Sequence, residues 1–468
     1  MKNLVEMKDV SFTYASSGEK ALDHVSVHIS EGECVLVTGA SGCGKTTLGR
    51  VMNGLIPGFC KGELTGEVSL FGMNGEEISI EALVPHVGSV FQNPKTQFFN
   101  VNTTAEIAFP CENTGMEQAE IGKAVSRCSE EFGLAGLLDR SVFQISGGEK
   151  QRVACGAANV LNPELLVLDE PASNLDQKSV EELHDLILRM KQRGTSAVIT
   201  EHRIAWLRDL ADRVLFMEDG KIKQEYSGEE FRALSGDELQ RMGLRQGDLG
   251  TIRDSLKKKE MKGTAGICTE KLEAGYRKHA VIAVPDLVIE QGKITGIMGN
   301  NGVGKSTFLR TLCGLLKPVS GSIRIDGKKM SCKELIRRSF LVMQDVNYQL
   351  FSDSVEEELL LGNEKKNPEE VLNTLDLLQL RDRHPMSLSG GQKQRTAIGC
   401  ALMSDKDLII LDEPSSGQDE RHMRETGEAL KLLKEKGKTV IVVTHDEELA
   451  DLYCDRIIRF EDRQKYGI

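Results

Sequence analysis

Short runs of apolar and β-branched residues recur along the chain, and each is followed by a glycine-rich or acidic segment. Residues 34–38 (CVLVT) and 294–298 (ITGIM) each lead into a glycine loop and then into an apolar helical stretch. Residues 165–171 (LLVLDEP) and 408–414 (LIILDEP) each end in a pair of acids. Continuous apolar runs of this length suit strands buried on both faces of a parallel sheet. The pattern therefore predicts an α/β fold with mostly parallel sheets.

These segments form a long internal repeat. The glycine loops begin at Gly39 and Gly299, which are 260 positions apart. The later SGG motifs, acid pairs and strand-terminal histidines are each 243 positions apart, so the back of each half repeats without insertion or deletion. A period this long indicates duplicated domains, because solenoid repeats run to roughly 20–50 residues. We expect a first domain at 1–226, a polar linker at 227–263 and a second domain at 264–468.

Composition narrows the function classes. No run of about 18 apolar residues exists, and the N-terminal stretch lacks the apolar centre of a signal peptide, so we expect no membrane span. The 11 cysteines include no C-x-x-C pair, which disfavours zinc, cluster and disulfide sites. The net charge of −12 disfavours a nucleic-acid partner. The lysines at 257–259 favour a solvated linker, with contact to a membrane surface as the alternative.

Both glycine loops match G-x-x-x-x-G-K-[ST], the motif that cradles nucleotide phosphates. Backbone N–H groups and the following helix N-terminus bind phosphate oxygens. We expect Lys45 and Lys305 to reach the β- and γ-phosphates of ATP, and Thr46 and Ser306 to offer a hydroxyl to Mg²⁺. The first loop comprises Gly39, Ala40, Ser41, Gly42, Cys43, Gly44, Lys45, Thr46 and Thr47. The second comprises Gly299, Asn300, Asn301, Gly302, Val303, Gly304, Lys305, Ser306 and Thr307.

The acid pairs lie at the predicted carboxyl ends of buried strands, where parallel sheets place their ligand sites. We expect Asp169 and Asp412 to hold the Mg²⁺ shell, and Glu170 and Glu413 to polarise the attacking water. A turn or a helix cap is the plainer interpretation of one such pair. Two pairs, each in a half with a phosphate loop, favour catalysis.

A third repeated motif, SGG, precedes a helical stretch in each half. Serine at a helix start followed by two glycines is an N-cap with accessible N–H groups, which forms an anion site. The residues concerned are Ser146, Gly147, Gly148, Ser389, Gly390 and Gly391.

Taken together, these motifs resemble those of the ATP-binding cassette ATPases over nearly the whole chain except the linker. The resemblance implies two tandem P-loop cassettes, each with a mostly parallel sheet, an antiparallel β subdomain and a helical subdomain. It implies that SGG binds the γ-phosphate of ATP held by the opposite half, so that two composite sites form, which we expect within one chain. It further implies hydrolysis at both sites, since no motif is degenerate.

The resemblance also assigns roles to three repeated residues. Gln92 and Gln344 match the glutamine that joins the Mg²⁺ shell and faces a membrane partner. His202 and His445 match the histidine that contacts the γ-phosphate. Tyr14 and Tyr276 match the aromatic that stacks on adenine, although packing is the alternative for a lone tyrosine in a strand.

The segments 92–109 and 344–362 are similar to those of energy-coupling factor ATPases, which power vitamin and metal-ion uptake. Each has a second glutamine five residues after the first, then an aromatic residue and an acidic helix. This narrower resemblance implies a transmembrane scaffold and a substrate-binding membrane component as partners, at the cytoplasmic face of the cell membrane. Another importer, or a tandem cassette that acts on ribosomes or nucleic acid, is the alternative.

Overall fold

The computed structural model describes residues 2–260, 265–277, 279–363 and 366–460. The chain divides into two compact units, Met1–Asp248 and Leu249–Ile468. Each unit contains one complete set of the repeated motifs, and each is described by itself below.

The first unit alternates strands with mostly short helices. Its strands are β1 Asn3–Tyr14, β2 Lys20–Ser30, β3 Cys34–Gly39, β4 Gly62–Leu70, β5 Met73–Asn74, β6 Val87–Val90, β7 Leu165–Asp169, β8 Ser196–Thr200, β9 Arg213–Glu218 and β10 Lys221–Ser227. Its helices are α1 Lys45–Met52, α2 Leu55–Gly58, α3 Ile80–Leu83, α4 Pro94–Gln97, α5 Thr103–Asn113, α6 Gln118–Glu131, α7 Gly147–Asn159, α8 Gln177–Gln192, α9 Gly228–Ala233 and α10 Gly236–Arg241.

Two sheets organise this unit. Strands β9, β3, β8, β7 and β6 pair in parallel in that order, and β10 joins the edge antiparallel to β9. A separate antiparallel sheet has the order β2-β1-β4-β5. Because parallel strands end at the same edge of the sheet, the segments that follow β3, β7 and β8 emerge side by side.

The second unit repeats this plan. Its strands are β11 Ile267–Tyr276, β12 His279–Val284, β13 Val288–Ile289, β14 Ile294–Met298, β15 Ser320–Ile325, β16 Lys328–Lys329, β17 Ser339–Val342, β18 Leu408–Asp412, β19 Thr439–Val443 and β20 Arg456–Arg459. Its helices are α11 Gly250–Lys258, α12 Lys305–Leu312, α13 Cys332–Arg338, α14 Val355–Leu360, α15 Glu369–Thr374, α16 Gly390–Met403, α17 Glu420–Glu435 and α18 Glu447–Tyr453. The parallel sheet has the order β17-β18-β19-β14-β20, and the antiparallel sheet has the order β12-β11-β15-β16.

Each central strand divides its side chains between two cores. In β7, Leu166 and Leu168 pack among the helices, whereas Leu165 and Val167 pack toward the antiparallel sheet. Alternate residues of a strand point to opposite faces, so an apolar run covered on both sides fills two layers. The acid pair that follows is therefore held by a strand that is fixed on both faces.

The range expected as a linker, 227–263, contains regular secondary structure. It contains α9, α10 and α11, and these helices bury apolar side chains. Phe231 and Leu239 join the helical core of the first unit, and Leu256 joins that of the second. The sequence pattern does not predict these helices, because each is short and polar on its outer face, with only one or two apolar anchors.

The longest helices, α8 and α17, have 16 residues each. Both are amphipathic, with buried residues at spacings of three and four along one face. Within residues 2–260, 265–277, 279–363 and 366–460, no helix has the length and apolar character needed to cross a membrane.

Candidate functional site

Each phosphate-loop motif lies between a central strand and a helix. In the first unit the loop runs from the end of β3 to the start of α1, and in the second from β14 to α12. Two glycines of the first loop are required by both conformation and space. Gly39 has φ 150° and Gly44 has φ 104°, and a Cβ atom would lie 2.1 Å from the Met217 oxygen or 2.5 Å from the Ala21 oxygen. Glycine at these two positions therefore lets the loop backbone pack directly against β9 and β2.

A buried lysine lies inside each loop. Lys45 Nζ donates to the carbonyl oxygens of Gly39 at 3.0 Å and Ala40 at 2.8 Å. Lys305 Nζ donates to the matching oxygens of Gly299 at 2.6 Å and Asn300 at 2.9 Å. Each ammonium group is thus held among the backbone groups that are expected to surround the phosphates.

The hydroxyl and carboxylate predicted to hold Mg²⁺ meet in both units. Thr46 Oγ1 donates to Asp169 Oδ2 at 3.0 Å, and Ser306 Oγ donates to Asp412 Oδ2 at 3.0 Å. Burial raises the pKa of both carboxyl groups, and a bound cation would favour their ionised form. An all-oxygen set with few protein ligands fits Mg²⁺, which shares its remaining positions with phosphate oxygens and water.

The predicted catalytic glutamates lie one residue beyond these aspartates. Glu170 and Glu413 both adopt positive φ, at 45° and 51°. Glu170 accepts a hydrogen bond from Gln92 Nε2 at 2.6 Å, and its other carboxylate oxygen lies 3.2 Å from His202 Nε2. The sparsely populated backbone conformation turns the glutamate away from the strand direction and toward the other site residues.

The strand-terminal histidines lie next to both the glutamates and the phosphate loops. His202 Nε2 is 3.5 Å from Ser41 Oγ. In the second unit, His445 Nε2 is 3.2 Å from a Glu413 oxygen and 3.0 Å from Asn301 Oδ1. The predicted group of loop, glutamate and histidine therefore comes together in each unit. Gln344 lies exposed just beyond the end of β17.

The two tyrosines lie beside the phosphate-loop helices. The Tyr14 hydroxyl is 3.1 Å from Thr47 Oγ1 and accepts a hydrogen bond from Arg50 at 2.9 Å. The Tyr276 hydroxyl accepts one from Arg310 at 3.3 Å. These contacts orient each ring near the loop, while stacking on adenine stays a prediction.

Each SGG motif begins a helix with a capping box. Ser146 Oγ accepts from the Glu149 N–H at 3.3 Å, and the Glu149 carboxylate accepts from the Ser146 N–H at 2.7 Å. Ser389 and Gln392 form the same pair at the start of α16. Gly147 and Gly390 are exposed, as an anion-binding turn requires. The pairing of either motif with a phosphate loop of the other half stays a prediction.

Two side chains, a glutamine and a glutamate, hold the segment after each site glutamine by a clasp of hydrogen bonds that the sequence pattern did not predict. Gln97 accepts from the Phe91 N–H at 3.0 Å and donates to the Ser89 oxygen at 2.9 Å, which closes the loop onto β6. Glu106 then accepts from the N–H groups of Phe99 and Asn100 at 3.0 and 2.7 Å. The repetition of both residues at a constant spacing was the available signal.

The second unit has the same clasp. Gln349 accepts a hydrogen bond from the Met343 N–H and donates one to the Leu341 oxygen. Glu358 accepts from the N–H groups of Phe351 and Ser352. Both glutamates of the clasp are buried. The segment that follows each site glutamine is therefore held at both of its ends by side chains of its own unit.

The aromatic residues on these segments differ in exposure. Phe99 and Tyr348 are 78% and 79% exposed, and Phe351 is also exposed. Phe98 is half-buried against the helical core. Adjacent residues of an extended segment point in opposite directions, which places Phe98 inside and Phe99 outside.

Comparison with known proteins gives consistent results. The family described as ABC transporter matches residues 22–173 and 284–416. A Treponema denticola protein named as an ABC transporter ATP-binding protein is 42% identical, over 97% of this chain and 95% of its own length. YkoD of Bacillus subtilis, named for HMP/thiamine import, is 30% identical over 98% of this chain and 90% of its own. Among solved structures, an RNase-L Inhibitor superposes with a TM-score of 0.67 at 25% identity, covering 97% of this chain and 87% of its own.

Proposed function

This chain belongs to the ABC transporter family of ATP-binding proteins, and on that premise we propose that it hydrolyses ATP to drive uptake of a small solute through a separate membrane scaffold. The solute class is a vitamin or a metal ion. The family accounts for ATP hydrolysis. Uptake is supported by the relative named for HMP/thiamine import, which aligns over nearly the full length of both chains.

The chemistry follows from residues that lie together in each unit. Lys45 and the loop N–H groups would bind and orient the phosphates. Thr46 and Asp169 would hold Mg²⁺, which supplies charge neutralisation at the transferred phosphoryl group. Glu170 would orient a water for in-line attack. Gln92 would hold one oxygen of its carboxylate and His202 the other. Positioning and charge neutralisation account for most of catalysis in reactions of this class.

The observation that favours a membrane partner is the clasped segment after each site glutamine. Gln92 contacts Glu170, the proposed catalytic residue, and seven residues later Phe99 is largely exposed to solvent. The clasp formed by Gln97 and Glu106 hydrogen-bonds the backbone next to both points, at Phe91 and at Phe99. A surface built in this way can transmit a change at the phosphate to a partner that binds the aromatic residues. We propose that a scaffold protein docks here in both halves.

A ribosome-linked role is the second candidate. The RNase-L Inhibitor and an archaeal ribosome recycling factor share the tandem architecture, with TM-scores of 0.67 and 0.64 at 25% and 26% identity. The relatives named as transporter proteins are more similar in sequence, at up to 42% identity. The transport proposal therefore has the stronger support.

Phe99→Asp and Tyr348→Asp, combined in one chain, are expected to abolish association with the membrane scaffold while the melting temperature stays within about 2 °C of the unmodified protein. Both rings are exposed, and exposed substitutions usually change stability by less than about 0.5 kcal/mol. The measurement is affinity purification from detergent-solubilised membranes, with mass spectrometry to identify a co-purifying protein that has transmembrane helices. At least a tenfold loss of that protein is expected.

Phe59→Asp provides a matched control, because Phe59 is 76% exposed and lies outside both clasped segments. This variant should retain the scaffold in full. Retention of the scaffold by the double variant would place the docking surface elsewhere. Co-sedimentation of the unmodified protein with ribosomes, and not with membranes, would overturn the transport proposal in favour of the second candidate.

We further expect the two halves of one chain to pair with each other and form two composite sites. The range 227–263, expected as a polar linker, contains α9, α10 and α11, so the stretch of chain that joins α10 to α11 is short. A short tether raises the effective concentration of one half around the other. Light scattering on the Glu170→Gln, Glu413→Gln chain should give 51.6 kDa both without and with ATP. A doubling of the mass on addition of ATP would show pairing between chains.

A further inference from the structure

One buried acid next to the first site takes no part in the chemistry proposed above. Glu201 follows the last residue of β8 and is 1% exposed. Its carboxylate accepts three backbone hydrogen bonds, from the N–H groups of Ala172 at 3.3 Å, His202 at 2.8 Å and Arg203 at 3.1 Å. A buried carboxylate is costly unless it is hydrogen-bonded in this way. Glu201 thus ties together the segment after the acid pair and the segment that carries the histidine.

The backbone of Glu201 is fixed as firmly as its side chain. Its N–H donates to the Val37 oxygen at 3.1 Å, and its own oxygen accepts from Thr38 Oγ1 at 3.0 Å. Both partners belong to β3, the strand that leads into the phosphate loop. The carboxylate therefore extends from the centre of the parallel sheet and has little freedom to move.

The second unit makes the same connection with different residues. Ser415 Oγ donates to Asp446 Oδ2 at 2.8 Å, and the Asp446 N–H donates to Thr444 Oγ1 at 2.9 Å. Asp446 also caps α18 by accepting from the Leu449 N–H at 3.1 Å. Here the acid follows the histidine in sequence, whereas in the first unit it precedes the histidine.

Three positions differ together between the units. Each pair is 243 positions apart, as are the repeated motifs: Ala172 with Ser415, Glu201 with Thr444, and Arg203 with Asp446. Ala172 lacks the hydroxyl with which Ser415 bonds Asp446, so it can donate only through its backbone N–H. The Glu201 side chain is long enough to accept from that N–H. Arg203 replaces the acid of the second unit and donates instead to the Leu175 oxygen at 3.4 Å. In each unit a buried acid thus joins the two segments, but it stands at a different position.

We propose that Glu201 is a positioning residue for the first site: it holds His202 against Glu170 and couples this pair to residues 172–176. The inference rests on the roles proposed for Glu170 and His202. A threonine at this position can reach the N–H two residues on, as Thr444 does in the second unit, but it leaves the N–H groups of Ala172 and His202 without the carboxylate that they bond in a buried place. The histidine and the segment 172–176 would then shift independently of each other.

The test compares three variants in single-turnover ATP hydrolysis: Glu201→Gln, Glu201→Thr, and the exchange Ala172→Ser, Glu201→Thr, Arg203→Asp, which introduces the arrangement of the second unit. A displacement of about 1 Å at a catalytic group costs on the order of 10²-fold in rate. We expect Glu201→Thr to lower kcat about 10²-fold with the KM for ATP little changed. Glu201→Gln should lower kcat about tenfold, because loss of one hydrogen bond to a charged group corresponds to that factor.

The exchange variant should return kcat to within about threefold of the parent chain, since the serine and aspartate re-form the connection. This recovery distinguishes positioning from a general loss of stability, and melting temperatures are measured alongside. Each variant is made in two backgrounds, one with Glu413 intact and one with Glu413→Gln. In the second background, turnover at the second site does not hide the effect on the first. The reverse exchange at Ser415, Thr444 and Asp446 serves as the matched control.

A kcat for Glu201→Thr within twofold of the parent chain would overturn the inference. An exchange variant no faster than Glu201→Thr alone would do the same. Failure of the proposed chemistry itself is distinguishable, because Glu170→Gln would then leave hydrolysis at the first site intact, whatever residue stands at position 201.

Discussion

Replacing Glu170 and Glu413 together by Gln is expected to leave ATP binding intact and to lower steady-state hydrolysis by about 10²–10⁴-fold, the range for loss of a general base. Each glutamate follows the predicted Mg²⁺-binding aspartate and lies 3.2 Å from the site histidine of its unit. Glutamine keeps the size of the side chain but cannot accept the proton of water. Phosphate release measures hydrolysis, and fluorescence of a nucleotide analogue measures binding.

The two single variants are informative as controls. Glu170→Gln removes the base of the first site only, and Glu413→Gln that of the second, so their separate rates report how far each site turns over alone. Phosphate release near the unmodified rate in the double variant would rule out this assignment. A melting temperature more than about 5 °C lower would instead indicate that the glutamates hold the fold.

Replacing Gly147 and Gly390 together by Ala is expected to lower hydrolysis by about 10²-fold or more without loss of stability. A Cβ atom at Gly390 meets nothing within 4 Å, and one at Gly147 comes no closer than 4.0 Å to Asn174 O. Alanine in a helix is favoured over glycine by up to about 1 kcal/mol, so each helix should become slightly more stable. The added methyl groups would, however, obstruct the N–H groups that are proposed to bind the γ-phosphate, a contact worth about 10²–10³-fold.

The neighbouring glycines provide the opposite control. A Cβ atom at Gly148 would lie 2.3 Å from Ser179 Oγ, and one at Gly391 would lie 2.7 Å from the His422 ring. Alanine at these positions should lower the melting temperature, because α7 or α16 must move away from the following helix. Full hydrolysis by the Gly147→Ala, Gly390→Ala chain would contradict the role assigned to the SGG motifs.

The sequence was most informative where a motif is both repeated and located at the end of an apolar strand. The meeting of Thr46 with Asp169, and of Glu170 with His202, could be expected because β3, β7 and β8 run parallel and end at one edge. The burial of these strands follows from their apolar runs, each of which is short and continuous. The positions of the acid, hydroxyl and lysine groups are then set by the ends of these strands.

Other features could not be predicted, because each depends on a few individual side-chain contacts. Phe98 and Phe99 are identical in type, and only the hydrogen bonds of Gln97 and Glu106 decide which of them faces the core. Glu201 departs from the repeat, because the equivalent residue of the second unit is Thr444. No pattern in the sequence predicts that its carboxylate is buried and accepts three backbone N–H groups. The helices in the range 227–263 depend on isolated apolar anchors that composition does not reveal.

The unequal buried acids have a consequence for how such a chain can evolve. In an ATPase assembled from two identical subunits, every mutation enters both sites at once, so a change that helps one step must be tolerated everywhere. Here the duplicated halves are encoded in one gene, and residues such as Ala172, Glu201 and Arg203 can change as a group in one half only. Gene fusion thereby allows the two sites to diverge toward a leading and a following role in one catalytic cycle.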